Sequence, residues 1–286
     1  LRSLGIFAAC LSKATGGQMP ADHETIRIWG LHGGKNAEDF FLFREVLGGG
    51  GPGRPWADGS DVVHIVPNSR NLPAEFSEQR YPVQVEKLGL AIDSGGAGYR
   101  RGGFGYDKRI RLLEDARLLS NADRALLNTY GVNGGKAGKT YGIEIQHKSG
   151  NEETVPGMAD NIEVSSGSIV HIVTTGGGGW GDALNRETGM VCYDVECGLV
   201  SLEAAKNQYG VVLKDTEKGY VVDEQKTQAL RARLRNERGK LPMFDRGQYF
   251  NKISESEGIK WPDGWIDPDV DWDAETGVSE DEATAV

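Results

Sequence analysis

Few folds can accommodate the way glycine is distributed in this chain. From Asp93 to Gly105 the sequence runs Asp-Ser-Gly-Gly-Ala-Gly-Tyr-Arg-Arg-Gly-Gly-Phe-Gly, and a second block, Thr175-Gly-Gly-Gly-Gly-Trp-Gly-Asp182, echoes it. Six of the thirteen residues in the first block are glycine. Chains use glycine where the backbone takes positive φ or must come very close to something else. The polar residues between these glycines are therefore held by backbone geometry, which predicts either a site or a tightly constrained junction. Glycine makes up 41 of the 286 residues, about twice its usual share of roughly 7%. It is clustered rather than periodic, and the clusters alternate with apolar runs, as in a loop-rich globular protein.

Charge narrows the partners. Of the net charge of −10, residues 267–286 contribute eight acids and no base, leaving −2 for the rest. Binding to a phosphate backbone needs a basic surface, so no nucleic-acid partner is expected. Cys10, Cys192 and Cys197 are odd in number and lack zinc-ligand spacing. With no signal peptide and no long apolar span, the expectation is a cytoplasmic protein without a membrane partner. The chain begins without Met, directly in a helical pattern (Leu1 to Lys13), and reads as a piece of something longer or as one of several subunits.

Periodicity predicts an α+β protein with a largely antiparallel β body. Leu4, Phe7, Ala8 and Leu11 form a helical stripe that stops at Gly16-Gly17. Strands are expected at Glu24–Leu31 (Ile26 and Ile28 against Arg27 and Trp29), Val62–Val66, Val83–Ile92, Phe104–Leu113, Leu126–Tyr130, Gly142–Gln146 and Ile169–Thr174, with glycine-rich turns between them. Short helices follow toward the C-terminus: Arg186–Cys197, Ser201–Tyr209 with Ser201 as cap, and Asp223–Arg238 ending at Gly239. The arginines and weak apolar stripe of the last helix mark it as exposed. The expected organisation is one region over 1–257, β-rich over 20–182 and helical over 183–257. An irregular acidic tail, extended or disordered, covers 258–286.

Three local motifs imitate known sites. Asn133-Gly-Gly-Lys-Ala-Gly-Lys-Thr140 resembles a phosphate-binding P-loop, but Asn133 stands where that loop needs glycine and a strand follows where it needs a helix. A hairpin turn is expected there. Asp93-Ser94-Gly95-Gly96 resembles a protease nucleophile loop without a matching histidine motif. Asp269-x-Asp271-x-Asp273 with Glu280 imitates a calcium loop, but Ala274 stands at the position of its sharp turn. The five histidines form no metal-binding pair. His64 is the most informative of them, because Asn68, Asn71, Glu75 and Glu78 follow between Pro67, Pro73 and Pro82. A rigid loop of this kind binds a polar substrate or holds an interface.

Taken together, the motifs point to one family. His64–Pro82, the Asp93–Gly105 block, Thr175–Asp182 and the run from Asp194 to Val212 occur in that order. The series, from about Gly48 to Leu213, resembles the C-terminal half of the hydantoinase B / 5-oxoprolinase / acetone (acetophenone) carboxylase α-subunit family. The resemblance implies a subunit of an ATP-dependent multi-subunit enzyme that acts on a carbonyl substrate through a phosphorylated intermediate. The leading reaction is cyclic amide hydrolysis of the hydantoin or 5-oxoproline type. The alternative is ketone carboxylation of the acetone or acetophenone type, and a second alternative is a non-catalytic scaffolding subunit. Gly177–Asp182 is closer to the hydantoinase and oxoprolinase pattern.

The resemblance further implies a hydantoinase A-like ATP-binding partner. The family's metal-binding His/Asp motifs lie in an N-terminal half that this sequence lacks, so a second chain would supply them. ATP and a divalent metal are thus expected on partner chains, with no metal ligands in this one, and the chain alone is expected to be inactive. Candidates for lining the site are His64, Asn71, Glu75, Asp93, Ser94 and Arg101. Gly95, Gly96, Gly98, Gly102, Gly103, Gly177 and Gly178 are read as structural.

Overall fold

A computed structural model describes residues 2–25, 27–64 and 69–257. Ile26, the Ile65–Val66 end of one expected strand, Pro67, Asn68, the acidic tail and its calcium-loop mimic lie outside these residues. In chain order the elements are α1 (Arg2–Ala14), β1 (Arg27–Gly33), β2 (Phe41–Val46), α2 (Ala74–Arg80), β3 (Val83–Leu90), β4 (Tyr106–Leu112), β5 (Ala116–Ala122), β6 (Gly131–Val132), β7 (Gly142–Gln146), β8 (Glu152–Thr154), β9 (Met158–Val164) and β10 (Ile169–Val173). After a 3-10 turn at Ala183–Asn185 come α3 (Thr188–Glu196), α4 (Leu202–Asn207), β11 (Leu213–Thr216), β12 (Gly219–Val222), α5 (Glu224–Arg238), β13 (Phe244–Asp245) and α6 (Gln248–Glu257).

Two antiparallel sheets, ordered β2-β1-β5-β9 and β3-β4-β10-β7-β8, share one core. Alternation puts Leu118 and Ser120 of β5, Ile110 and Leu112 of β4, and Val170 and Ile172 of β10 inward, the period of a half-buried strand. Trp29 and Phe43 meet edge to face, with centroids 5.3 Å apart. A buried ion pair, Lys108 Nζ to Glu45 Oε2 at 2.6 Å, also joins the two sheets.

The glycine segments form a different kind of structure. Gly176 to Gly179 run extended without belonging to a ladder, and none of the four has a left-handed φ. Their N–H groups donate in a three-residue rhythm. Gly176 and Gly179 bond to the carbonyls of Lys139 and Lys136, and Gly177 and Trp180 bond to those of Gly103 and Arg100. Gly178 donates to Asp22. The carbonyls of Thr175 and Gly178 accept from Gly50 and Gly53 with the same period. Three residues per turn with no internal hydrogen bonds describes a polyproline II helix, here a central rod bonded outward to neighbouring segments. Only glycine fits it. A Cβ on Gly176, Gly177 or Gly178 would stand 1.8, 1.8 or 1.9 Å from the carbonyl oxygen of Ser94, Gly51 or Tyr130.

This bundle explains where the sequence expectations and the structure part. Leu126–Tyr130 is not a strand, because the Thr129 and Tyr130 carbonyls accept from Gly138 and Asp22 in the bundle instead of a ladder. Of the expected strand at Val62–Val66, only Val63 pairs among the described residues, in an isolated bridge to Gly49. Asn133 and Gly134 take φ of 55° and 88° in a tight turn closed by Gly135 N to Val132 O. This left-handed Asn-Gly turn has hairpin-type geometry, but the expected hairpin does not form, because β6 pairs with β13 and β7 belongs to a different sheet. The C-terminal helices form at the expected places, with Ser201 Oγ accepting from Ala204 N and Asp223 Oδ1 accepting from Lys226 N as caps. Helix α5 is mostly exposed, as expected, and is anchored by Arg231 and Arg235, which donate to the carbonyls of Tyr209, Arg186 and Leu184.

Candidate functional site

At one end of the bundle, charge is concentrated and buried. The Arg186 guanidinium donates to both oxygens of Asp58 (2.7 and 2.8 Å) and to Asp194 Oδ2 (2.9 Å). Arg101 donates to Asp61 Oδ1 at 3.1 Å and Asp194 Oδ1 at 3.3 Å, and lies 4.4 Å over the Phe104 ring. Burial alone would raise the Asp58 carboxyl, but the Arg186 and Arg101 guanidiniums outweigh it and hold the group below its ordinary 3.8. Burial pushes the neighbouring Tyr209 hydroxyl well above its ordinary value. Bidentate pairing of this type fixes geometry as well as charge. It clamps the loop around Asp58, the glycine segment at Arg101 and the helix α3 to one another.

Asp58, Asp61, Arg186 and Asp194 were not among the candidates read from the sequence. Asp194 opens one of the four motifs, and Asp58-Gly59-Ser60-Asp61 is itself a glycine-spaced acidic loop, so the signal was there in the spacing. Apart from Arg186 and Asp194, eight residues apart, the partners are 40 to 128 residues apart, and no local pattern announces such a pairing.

Each expected site residue has a definite place. Asp93, at φ 57°, accepts from Ser201 N through Oδ1, and its own N–H donates to Leu199 O, so it joins the bundle to α4. Ser94 is fully buried. Its hydroxyl donates to Ala91 O and accepts from Gly105 N, which commits it to the fold rather than to nucleophilic attack. Arg101 belongs to the clamp. Glu75 is exposed in the first turn of α2. His64 and Asn71 meet, with Nε2 3.0 Å from Asn71 Oδ1, while Asn71 Nδ2 donates to Val46 O at 3.3 Å. With Asn71 Nδ2 spent on Val46 O, Asn71 Oδ1 is the acceptor and Nε2 the donor of that pair.

Two residues before His64, Val62 takes φ 45°. For a β-branched side chain this is a true outlier. It is held by Val62 N to Phe104 O at 2.9 Å, beside Asp61, whose Oδ1 accepts from Phe104 N at 2.8 Å. Strain of this sort persists only where the surroundings over-determine it, and it clusters at functional sites. The clamp, through Asp61, therefore fixes the strained Val62, two residues before His64.

Neither a metal cluster nor a phosphate-binding P-loop forms among the described residues. Among the described residues, no three His, Cys, Asp or Glu side chains converge to hold a metal ion. The P-loop-like segment lies between β6 and β7, so no helix N-terminus follows its glycines as a phosphate cradle would require. No helix among the described residues is long and apolar enough to cross a membrane.

Residues 2–183 match the family described as Hydantoinase B/oxoprolinase. An uncharacterized protein of Methanocaldococcus jannaschii is 37% identical over 192 residues, covering 67% of this chain and 34% of that protein. The putative B-type subunit of a D-/L-hydantoinase from a Pseudomonas species is 31% identical over 200 residues, covering 69% and 33%. The ATP-dependent caprolactamase of Pseudomonas jessenii superposes with a TM-score of 0.64 at 27% identity, covering 78% of this chain and 40% of that one. This chain thus spans about a third of the length of the curated relatives it matches. With the match running through the bundle and the clamp residues Asp58, Asp61 and Arg101, the chain belongs to the hydantoinase B/oxoprolinase family.

Proposed function

We propose that this chain is the C-terminal portion of a hydantoinase B-like subunit in an ATP-dependent enzyme that hydrolyses a cyclic amide. The family match over residues 2–183 carries the reading. The relatives named as a hydantoinase subunit and a caprolactamase point the same way, toward ring amides. A hydantoinase A-like chain supplies ATP, the N-terminal half of the subunit supplies the metal ligands, and this chain alone is inactive and cytoplasmic.

Its own contribution is a rigid wall. The bundle and clamp hold His64, whose Nδ1 faces substrate as hydrogen-bond acceptor or base, while Asn71 fixes the ring through Nε2. Asp93, Ser94 and Arg101 support that wall through the bonds described above, and Glu75 stands at its rim. Reconstitution with the two missing pieces tests the assignment: hydantoin, 5-oxoproline or caprolactam should stimulate ATP hydrolysis and be opened. A complex that assembles without substrate-stimulated turnover leaves a scaffolding subunit, and turnover that requires bicarbonate and an aryl ketone makes it a carboxylase. In the active complex, His64→Gln should lower kcat by about a hundredfold, the scale of a lost general base, while Asn71→Leu shifts the pH profile. Unchanged kinetics in both variants would remove His64 from the site.

A further inference from the structure

We propose that the outward face of α1 is the surface on which the N-terminal portion of the subunit packs, an inference that rests on the reading of this chain as the C-terminal portion. Helix α1 meets the bundle through small residues. The Gly5 carbonyl accepts from the Tyr130 hydroxyl, and a Cβ on Gly5 would stand 2.6 Å from Asp22 Oδ1. Ala9 packs against the cluster of Ala21, Val132 and Phe244, and Ser12 is fully buried with its hydroxyl donating to Ala8 O at 2.9 Å. Positions spaced by four and then three share one side of a helix. The large apolar side chains lie on the other side. Leu4, Ile6 and Phe7 are 53%, 63% and 63% exposed, and Cys10 and Ala14 are exposed beside them. A surface helix ordinarily turns its apolar stripe to the core, whereas α1 turns Leu4 and Phe7 of its stripe away from it.

The character and size of this stripe, together with the relatives, select its occupant. None of Leu4, Ile6, Phe7, Cys10 and Ala14 carries charge. Apolar residues without charge compose the centre of a permanent contact rather than a transient one. A second copy of the chain does not suit it. The helix has 13 residues, so its outward stripe covers about 20 by 10 Å, or about 200 Å². Stable association takes about 800 Å² from each partner. The stripe is therefore one part of a larger contact, of the kind made within a single subunit. The family match over residues 2–183 includes α1. Matched segments make up only 34% and 33% of the two relatives described above, so most of each polypeptide lies outside them and is available to cover this helix.

The test mixes the full chain with the part of the Pseudomonas hydantoinase B-type relative that lies outside its matched third. A complex is expected by size-exclusion chromatography with light scattering. Within it, alkylation of Cys10 should slow at least about tenfold, because a thiol reacts only where it is accessible. Cys197, exposed at the end of α3, should keep its rate, with both sites read by mass spectrometry. This measurement uses the unmutated chain and does not depend on variants folding. Ile6→Asp/Phe7→Asp should weaken association at least about tenfold, since a few apolar anchors carry most of an interface. Leu202→Asp, at an exposed apolar position of α4, should leave it unchanged. Absence of a complex, Cys10 as reactive in the complex as in the free chain, or association indifferent to the double substitution would each overturn the assignment. Protection of Cys10 in the chain alone as its concentration rises would overturn it too, by making a second copy the occupant. The two readings fail separately. A complex that covers Cys10 without opening an amide removes the hydrolase assignment and leaves this surface standing, whereas turnover with Cys10 fully reactive does the reverse.

Discussion

The sandwich and the glycine bundle sit side by side in one chain and are stabilised in opposite ways. In the sandwich, Leu31, Phe43, Ile110, Leu118, Ile143 and Val170 are buried against one another. Stability there comes from side-chain volume removed from water. Along the central rod of the bundle, backbones touch one another, and a carbonyl stands where a neighbour's Cβ would be. The sandwich should tolerate a change of shape at the cost of a cavity, whereas the bundle has nothing that can give way.

The sharpest way to break that comparison is Gly177→Ala. The new methyl would stand 1.8 Å from the Gly51 carbonyl oxygen, and both partners are backbone in a hydrogen-bonded lattice. Ordinary overpacking costs about 1–3 kcal/mol. With no side chain to yield, a loss of about 4 kcal/mol or more is expected, seen as failure to give a cooperative thermal transition. Stability within about 1 kcal/mol of the parent would show that the bundle is loose. Leu118→Ala, at a fully buried position of β5, should cost about 3 kcal/mol by chemical denaturation while folding stays cooperative, because a cavity is a local loss.

Arg186→Met probes the clamp that ties the bundle to the helices. It leaves Asp58 without its bidentate partner, while Arg101 stays on Asp194. A loss of about 3 kcal/mol near neutral pH follows from breaking a buried pair. The pH dependence has a definite sign. The Asp58 carboxyl is held below its ordinary 3.8 in the fold, so its pairing contributes fully above that value and is lost as pH falls through the folded-state pKa. The stability gap between parent and variant should therefore narrow below about pH 4. A gap independent of pH from about 7 down to about 3 would assign the effect of Arg186 to packing.

How much of this could be read from the chain follows the same division. Strands with inward alternation, such as Ile169–Val173, were legible because burial of side chains leaves a period of two. So were α4 and α5, through Ser201 and Asp223 as caps. Strand β9, Met-Ala-Asp-Asn-Ile-Glu-Val, and strand β8, Glu-Glu-Thr, were not, since both are sheet edges with mostly exposed side chains. The glycines announced a constrained junction but not its form, because contacts made by backbone leave no pattern except the absence of side chains. Of the candidate site, the loop that brings His64 and Asn71 together was legible as polar, whereas the partners of Arg101 were not, since Asp61 and Asp194 are brought to it only by the folded bundle.

The smallest effect marks where one regime ends and the other begins. A Cβ on Gly138 would stand 2.6 Å from the carbonyl oxygens of Gly176 and Gly177, whereas one on Gly142, at the start of β7, meets nothing within 4 Å. Gly142 has no left-handed φ, so alanine can adopt its conformation and only the unfolded chain loses freedom. Gly142→Ala should accordingly stabilise the protein by about 0.5 kcal/mol, while Gly138→Ala should destabilise it by about 2 kcal/mol. Opposite signs at two glycines so near in sequence, read from denaturation midpoints with equal slopes, would place the edge of the bundle between them. If both substitutions destabilise, backbone crowding extends into the sheet, and if neither does, the rod yields at Gly176 and Gly177, whose carbonyls stand against Gly138.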